Sequence, residues 1–522
     1  MILRSVLLAV CFAASAGAGE THVALDFSKR AQVIENIGSS TGMHGDYIAR
    51  HWRPETVDAI ADLLFSRRFD ADGAAEGIGL SSFRIQIGGG GAGEAGGIKE
   101  PWRRTDCFLR PDGTYDWSGQ GQGTLYWRRK ALEYDVPTVI GYLNSPPVYF
   151  THSGYTFKTN ETFTTNLRDE CFDGYAQFLA RVAAHGQALG MPFTHLSPVN
   201  EPQWFWKGTP GRAKQEGSPW TNGQIARLVR LADAAFRDHG VSTKLLIPEA
   251  ADYDALATPM PERPFAAATD QVRAFWGRDG GHYVGDLPSL ETVAAGHAYF
   301  SDGSVDELIH TRTAVKKAVE DVGSGLRFWQ TEYSLLGQGW TGGLPAWSVD
   351  EMDAALLLAR NIHVDFTLAD AAAWQWWSST EPKLGRVPRY CLIECDPHGD
   401  QTYRATKLLW ALGHYSRFVR PGMVRVPVEA EGAVAERLAR VMASAYYDAD
   451  RHRWAMVVIN FTNRKQEIRF STKRLPRSEE RWTTAGFLTD RKHDLQRFDL
   501  SGDAFSMPPK SIVTLLGEPA PR

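Results

Sequence analysis

Short apolar runs of extended-type residues recur along most of the chain, with amphipathic stretches of helical period between several of them. The extended runs are "QVIENIGSS" (32–40), "SSFRIQIGG" (81–89), "VPTVIGYLNS" (136–145), "FTHLSPVNE" (193–201), "TKLLIPEA" (243–250), "TVAAGHAY" (292–299), "LRFWQTEY" (326–333) and "AAAWQWWS" (371–378). The stretch 171–190 reads as a helix stopped by a glycine, and 221–240 as one that opens on a capping Thr and ends the same way. The segment 349–369 repeats the theme. Eight strands alternating with helices predict a (β/α)8 barrel with long loops. A doubly wound sheet would alternate similarly. However, "GGGGAGEAGG" (88–97) is too glycine-dense for a nucleotide fingerprint and has no helix pattern after it, so it reads as a loop at the active site.

Beyond about residue 415 the period shortens. "MVRVPVEA", "RVMASAYYDAD", "RWAMVVINFTN", "KQEIRFST" and "SIVTLLG" alternate apolar and polar positions between turn signals, which predicts an antiparallel β-sandwich. The early run "THVALDFSKRAQ" (21–32) is strand-like and would complete that sandwich before the chain enters the barrel. The expected layout is a signal peptide over 1–19, a strand segment over 20–32 that joins the sandwich, a barrel over 33–415 and the sandwich over 416–522.

Composition narrows the class. With 522 residues, 43% hydrophobic and 23% charged, the chain reads as a soluble globular protein of two or three domains. A net charge of −4 gives no reason to expect nucleic acid or a membrane surface as a partner. The 17 Trp and 17 Tyr suit stacking on sugar rings, although large aromatic cores give the same count. The opening "MILRSVLLAVCFAASAGAGE" has one basic residue, an apolar run and then small residues, as a secretory signal does. The apolar run is too short to span a bilayer, so a secreted or periplasmic protein is expected. Cys107, Cys171, Cys391 and Cys395 would then meet an oxidising compartment, and one or two disulfides are expected. Asn160 in "NET" and Asn460 in "NFT" match the glycosylation acceptor pattern.

Barrel enzymes place their chemistry at the C-terminal ends of the strands. Collecting polar residues there gives Arg84, Asn144, Asn200, Glu201, Glu249, His297, Tyr299, Glu332 and the tryptophans of 374–377. Glu201 and Glu332 end the fourth and seventh strands, which face each other across an eight-stranded barrel, so the two carboxylates should converge on one cleft. Paired carboxylates suit glycoside hydrolysis, one as proton donor and the other as nucleophile or base. No Cys/His cluster suggests a metal, and the chemistry needs no cofactor.

"VNEP" and "QTEYS" resemble the acid/base and nucleophile strands of the retaining (β/α)8 glycosidases, and within that clan the chain is most similar to glycoside hydrolase family 30. "IGSS", "FRIQIGG", "NSPPVYFTHSG", "GHAY" and "KLLWALGHYSRFVRPGMVRV" (407–426) fall in the same order as in that family. The resemblance implies Glu201 as general acid/base and Glu332 as nucleophile. It implies that Asn200 bonds the sugar 2-hydroxyl, that Tyr299 donates to Glu332 and that Arg84 adds positive charge beside it. His297 and Trp376 would shape the subsite on the non-reducing side. Family members often carry an acidic residue soon after the strand-2 "IGG"; Glu94 is a substitute whose register stays open.

Bland readings compete at several positions. Arg84 alone could be a structural ion-pair partner, His297 a core histidine, and Glu249 either structural or part of a subsite. Side chains alternate along a strand, so Trp374 and Trp376 share a face, taken here as the mouth, with Trp377 packed outward. Trp204, Trp206 and Trp220 follow strand 4 and are either sugar platforms or loop packing. "QEGSPW" (215–220) resembles the endo-β-1,6-galactanase branch of the family. The expected partner is a β-linked polysaccharide or oligosaccharide, above all β-1,6-galactan, acted on by a monomer. Other β-1,6-glucanase, xylanase or β-glycosidase activities stay open because loops set them. So does a non-catalytic carbohydrate-binding barrel.

Overall fold

The computed structural model describes residues 20–520, apart from 72, 93–95, 119–120, 324, 337–349, 383–390, 397–399 and 479–480. The segment 1–19, expected to be a signal peptide, and Glu94 therefore lie outside the described residues, as do most of the loop after the seventh barrel strand and part of the segment after the eighth. The chain opens on β1 (Glu20–Asp26) and then enters eight parallel strands. These are β2 (Asn36–Ser40), β3 (Ser82–Gln86), β4 (Thr138–Tyr142), β5 (His195–Ser197), β6 (Lys244–Ala250), β7 (Leu290–His297), β8 (Arg327–Glu332) and β9 (Ala373–Trp376). They form a closed barrel in chain order, sealed where Ser39 of β2 pairs with Trp376 of β9.

Nearly every residue of these strands is buried because one face fills the barrel and the other meets the helices. The helix Asn222–Asp238 shows how locally its start is coded. The Thr221 hydroxyl accepts from Gln224 N at 3.2 Å, and the Gln224 side chain accepts from Thr221 N at 3.0 Å, closing a capping box.

The C-terminal region forms a four-stranded and a six-stranded sheet. β1 belongs to the smaller one, antiparallel to Val428–Ala430 and parallel to Gln466–Lys473, a strand far away in sequence. Val23, Leu25, Ile468 and Phe505 of this sheet meet Met456, Val458, Val513 and Leu515 of the larger one in a single core, which makes the sandwich. The other face of the large sheet belongs to the barrel's core, with Tyr446 against Phe366 at 6.0 Å and Phe487 against Phe418 at 4.4 Å between ring centroids. Arg417 fastens the same seam, its guanidinium donating to the carbonyls of Ser66, Arg67, Arg68 and Gly77. Among the described residues, no helix is long and apolar enough to cross a membrane.

Two expectations are corrected. No disulfide joins Cys107, Cys171, Cys391 and Cys395. Cys171 instead accepts a hydrogen bond from Arg168 at 3.4 Å, and Cys107 lies against Gly90. Cys391 and Cys395 are both buried and unbridged, Cys395 as the last residue of the short strand Ile393–Cys395. Asn460 is fully buried, its amide donating to the carbonyls of Arg464 at 2.9 Å and Pro508 at 2.7 Å, so it is closed to a glycan. Asn160 is exposed.

Because barrel and sandwich share a core, they should unfold together. Phe487→Ala, which removes a ring stacked between Phe418 and Phe69, should cost about 3–5 kcal/mol and lower a single calorimetric transition rather than split it. A chain ending at residue 415 should be insoluble; a soluble, active barrel would show that the sandwich is no buttress.

Candidate active site

Strand alternation aims Ser82, Arg84 and Gln86 of β3 into the barrel, and with them Tyr142, Ser197 and His297; Glu249 and Glu332 reach the C-terminal mouth where the register of β6, β7 and β8 shifts, against the alternation set by Leu246 and Trp329. There they build one buried charge network. The Arg84 guanidinium reaches Glu332 Oε2 at 2.5 Å, Asn200 Oδ1 at 2.6 Å and Glu249 Oε2 at 3.4 Å, and lies 3.8 Å over the Tyr142 ring. Tyr299 donates to Glu332 Oε1 at 3.0 Å. The Asn200 amide donates to Asn144 Oδ1 at 3.0 Å. His297 has a carboxylate at each nitrogen, Glu201 Oε1 at 3.2 Å from Nδ1 and Glu249 Oε2 at 3.1 Å from Nε2. Carboxylate oxygens of Glu201 and Glu332 lie within 4.8 Å of each other.

Glu201 and Glu249 both take left-handed backbone, with φ of 46° and 55°, and the Glu201 N–H donates to the Glu249 carbonyl at 2.9 Å. Such a conformation costs a non-glycine residue about 1–3 kcal/mol and gathers at functional sites. It turns the chain as it leaves the barrel, where Glu201 lines the cleft.

The electrostatics follow from burial and neighbours. Burial lifts the pKa of Glu201 above its ordinary value; His297 and Arg84 pull it down, and the Glu332 charge adds to the rise. Burial also works against the charged form of His297, but Glu332, Glu201 and Glu249 outweigh it and carry its pKa to about 9. In Glu249 burial is overcome by Arg84, His297 and the Ser197 hydroxyl, which hold it at about 2. A metal is a poor fit to this donor set, because both nitrogens of His297 face carboxylates as an imidazolium would, and Arg84 already occupies Glu332.

Above the network opens a cleft of about 540 Å³. Asn144, Asn200, Glu201, Tyr299 and Glu332 line its floor, and Trp204, Trp206, Phe300 and Trp377 its walls, with Arg103, Gln215, Leu336 and Glu381 beyond. Arg84, His297 and Glu249 lie beneath, fully buried.

Trp376 departs from expectation. It does share a face with Trp374, but that face points to the helices: Trp374 donates to Asp365 of helix Glu351–Leu368 at 2.8 Å, and Trp376 packs on Tyr333 with no exposed surface. The inward positions are Ala373 and Gln375, the latter bonded to Asn36 of the neighbouring β2 and Ser82 of β3 beyond it. Trp377, just past the strand, therefore takes the cleft position expected for Trp376. Sequence alternation separated the two faces, but which one is inside depends on register, and one residue inverts it. Trp220 is core, stacked on Tyr175, whereas Trp204 and Trp206 stand in the wall.

The "QEGSPW" run accounts for part of that wall. Gln215 accepts from Arg103 at 3.0 Å in the cleft, and Glu216 accepts from the N–H groups of Gly89 and Gly91, tying down the glycine loop. At Gly217 a β-carbon would fall 2.1 Å from the Trp206 ring, so only glycine lets that ring lie where it does. Arg103, Phe300 and Glu381 went unread in the sequence because they sit in short turns and loop segments with no period of their own.

Residues 20–384 match the family profile described as O-Glycosyl hydrolase family 30. The chain belongs to this family. It is a glycoside hydrolase. A conserved exported protein from Bacteroides fragilis superposes with a TM-score of 0.86 at 29% identity, over 95% of this chain and 99% of that one. Xylanase C of family 30 from Talaromyces cellulolyticus (TM-score 0.66, 18% identity, 95% and 99% covered) shares the fold. So does an endo-β1,6-glucanase (0.65, 16%, 96% and 94%). An exo-β-1,6-galactobiohydrolase of Bifidobacterium longum subsp. longum is 29% identical over 102 residues, a match spanning 19% of this chain and 7% of that protein.

The two tryptophans should separate cleanly. Trp377→Ala should raise KM for oligosaccharides about tenfold with little change in melting temperature, as expected for losing one stacking face. Trp376→Ala should cost about 3–5 kcal/mol of stability by thermal denaturation.

Proposed function

We propose that the chain is a retaining β-glycosidase working by double displacement, with Glu332 as nucleophile and Glu201 as acid/base. The observation that carries this reading is the approach of the two carboxylates to within 4.8 Å. That is near the roughly 5–5.5 Å of retaining enzymes and short of the roughly 6.5–9.5 Å that leaves room for an inverting water. Glu332 attacks the anomeric carbon while Glu201 hands its proton to the departing oxygen, leaving a glycosyl ester. Glu201, now a carboxylate, takes a proton from water, which attacks the same carbon and frees Glu332.

Charge counting supports the assignment. Two cations, Arg84 and His297, face three carboxylates in a largely buried site, so a neutral cluster leaves one carboxyl protonated. Glu332 has Arg84 at 2.5 Å and Tyr299 as donor, and Glu249 has two hydroxyls besides. Glu201 is the remaining one. Esterification of Glu332 removes a negative charge, and Glu201 can then ionise without upsetting the balance. Asn200, held by Arg84 and Asn144, keeps a free amide N–H for the sugar 2-hydroxyl, a bond that strengthens in the transition state.

For the substrate we propose β-1,6-linked galactan of arabinogalactan type, cleaved internally and outside the cytoplasm after export. The "QEGSPW" run that shapes the wall and the partial match to an exo-β-1,6-galactobiohydrolase support the sugar and linkage. The likeness to an exported protein supports the location.

Incubation with β-1,6-galactan, β-1,6-glucan and xylans should release oligosaccharides from the first, with the β-anomer formed initially by NMR. An α-product would sink the mechanism, and cleavage of another glycan alone the sugar. Glu332→Gln should abolish turnover. Glu201→Gln should lose about 10²–10⁴-fold on galactan and much less on aryl glycosides whose leaving group needs no proton. Because the pKa of Glu201 is raised and its protonated form is the active one, kcat/KM should fall as pH rises through that value.

A further inference from the structure

Glu249 lines no part of the cleft and has no exposed surface, yet it is among the most heavily bonded carboxylates of the site. Ser197 donates to its Oε1 at 2.5 Å, and Thr331 to its Oε2 at 2.6 Å. Arg84 stands 3.4 Å away, and His297 Nε2 3.1 Å. The charged groups around His297 are Glu201 from the turn after β5, Glu249 from β6 and Glu332 from β8, whose Oε1 is 3.9 Å from Nδ1. Arg84 from β3 balances the last two, and Tyr299 lies edge-on to the imidazole ring.

A neutral imidazole has one N–H and one lone pair. Once Glu201 is ionised, carboxylate oxygens stand at hydrogen-bond distance from both nitrogens, and only the imidazolium donates to both; while Glu201 holds its proton, Glu249 at 3.1 Å and Glu332 at 3.9 Å still set two negative charges beside the ring. Given Glu201 as acid/base, as proposed above, we infer that Glu249 is a positioning residue that keeps His297 doubly protonated through the whole reaction, so that a fixed cation caps the basicity of Glu201. In the first step the proton of Glu201 goes to the leaving oxygen, and the His297 Nδ1–H steadies the carboxylate left behind. In the second, Glu201 recovers a proton from water. His297 neither gains nor loses one. The arrangement makes Glu201 a stronger acid than a carboxyl buried beside Glu332 alone, while leaving it able to act as base.

Glu249→Gln keeps the size of the side chain and removes its charge. Without an anion behind Nε2, His297 should turn neutral at working pH, and Glu201 should lose its neighbouring cation. The basic limb of the kcat/KM profile on an aryl β-glycoside should then move up by about one pH unit or more. A purely structural role would lower activity at every pH with the limb in place, and that result, or a downward shift, would overturn the inference. A measurement on the unaltered protein covers the case in which the variant does not fold. With ¹⁵N-labelled histidine, and His297 assigned by loss of its signals in His297→Gln, both ring nitrogens should remain protonated up to about pH 8, where an unperturbed histidine of pKa about 6.5 would not. A bare nitrogen at pH 7 would overturn the inference. The NMR result needs no turnover, so a doubly protonated His297 in a protein that cleaves no glycoside would count against the reaction and for the charge arrangement.

Discussion

The site depends on one guanidinium that never meets solvent. Arg84 sits fully buried at the axis of the barrel mouth, and burial of an isolated cation there would be prohibitive without compensation. The compensation is the site itself. Glu332 and Glu249 supply charge, Asn200 an oxygen, and Tyr142 a ring face. The same contacts that make Arg84 tolerable fix the Glu332 carboxylate and the Asn200 amide beside it, so stability and geometry are requirements on one set of atoms. Such a network is unforgiving, because removing any partner leaves a buried charge unmatched.

Much of this was legible in the sequence because periodicity and chemistry agree there. Seven of the eight runs that read as strands contain a barrel strand whole and the eighth, 292–299, all but its first two residues, and polar residues near the ends of four of them line the mouth. Arg84, Asn144, Asn200, Glu201, His297, Tyr299 and Glu332 come together as neighbours. What failed, failed for stated reasons. Trp376 and Trp377 were exchanged because alternation gives two faces without saying which is inner. Disulfides were expected on an argument about compartment, which says nothing of distance. Glu249 was left undecided because its meaning lies in contacts from β3, β5, β7 and β8, none of which a linear reading brings to it.

The cleft walls belong to another level. Barrel strands fix the floor, and loops decide what enters. Here the run 215–220 links them: one residue faces the cleft, the next pins the glycine loop through two backbone N–H groups, and the third gives a tryptophan its seat. Three consecutive side chains, or the want of one at Gly217, thus set the width of the opening on that side.

β1 carries a consequence for how the molecule is made. Its parallel neighbour, Gln466–Lys473, is among the last strands to be synthesised, and the antiparallel one, Val428–Ala430, comes only shortly before. From the moment it leaves the ribosome until about 400 residues have followed, β1 has neither neighbour to pair with, and the barrel between them offers it no edge. The sandwich is therefore completed only after the barrel has been synthesised, and until then β1 is an unpaired strand that the growing chain must keep from pairing elsewhere.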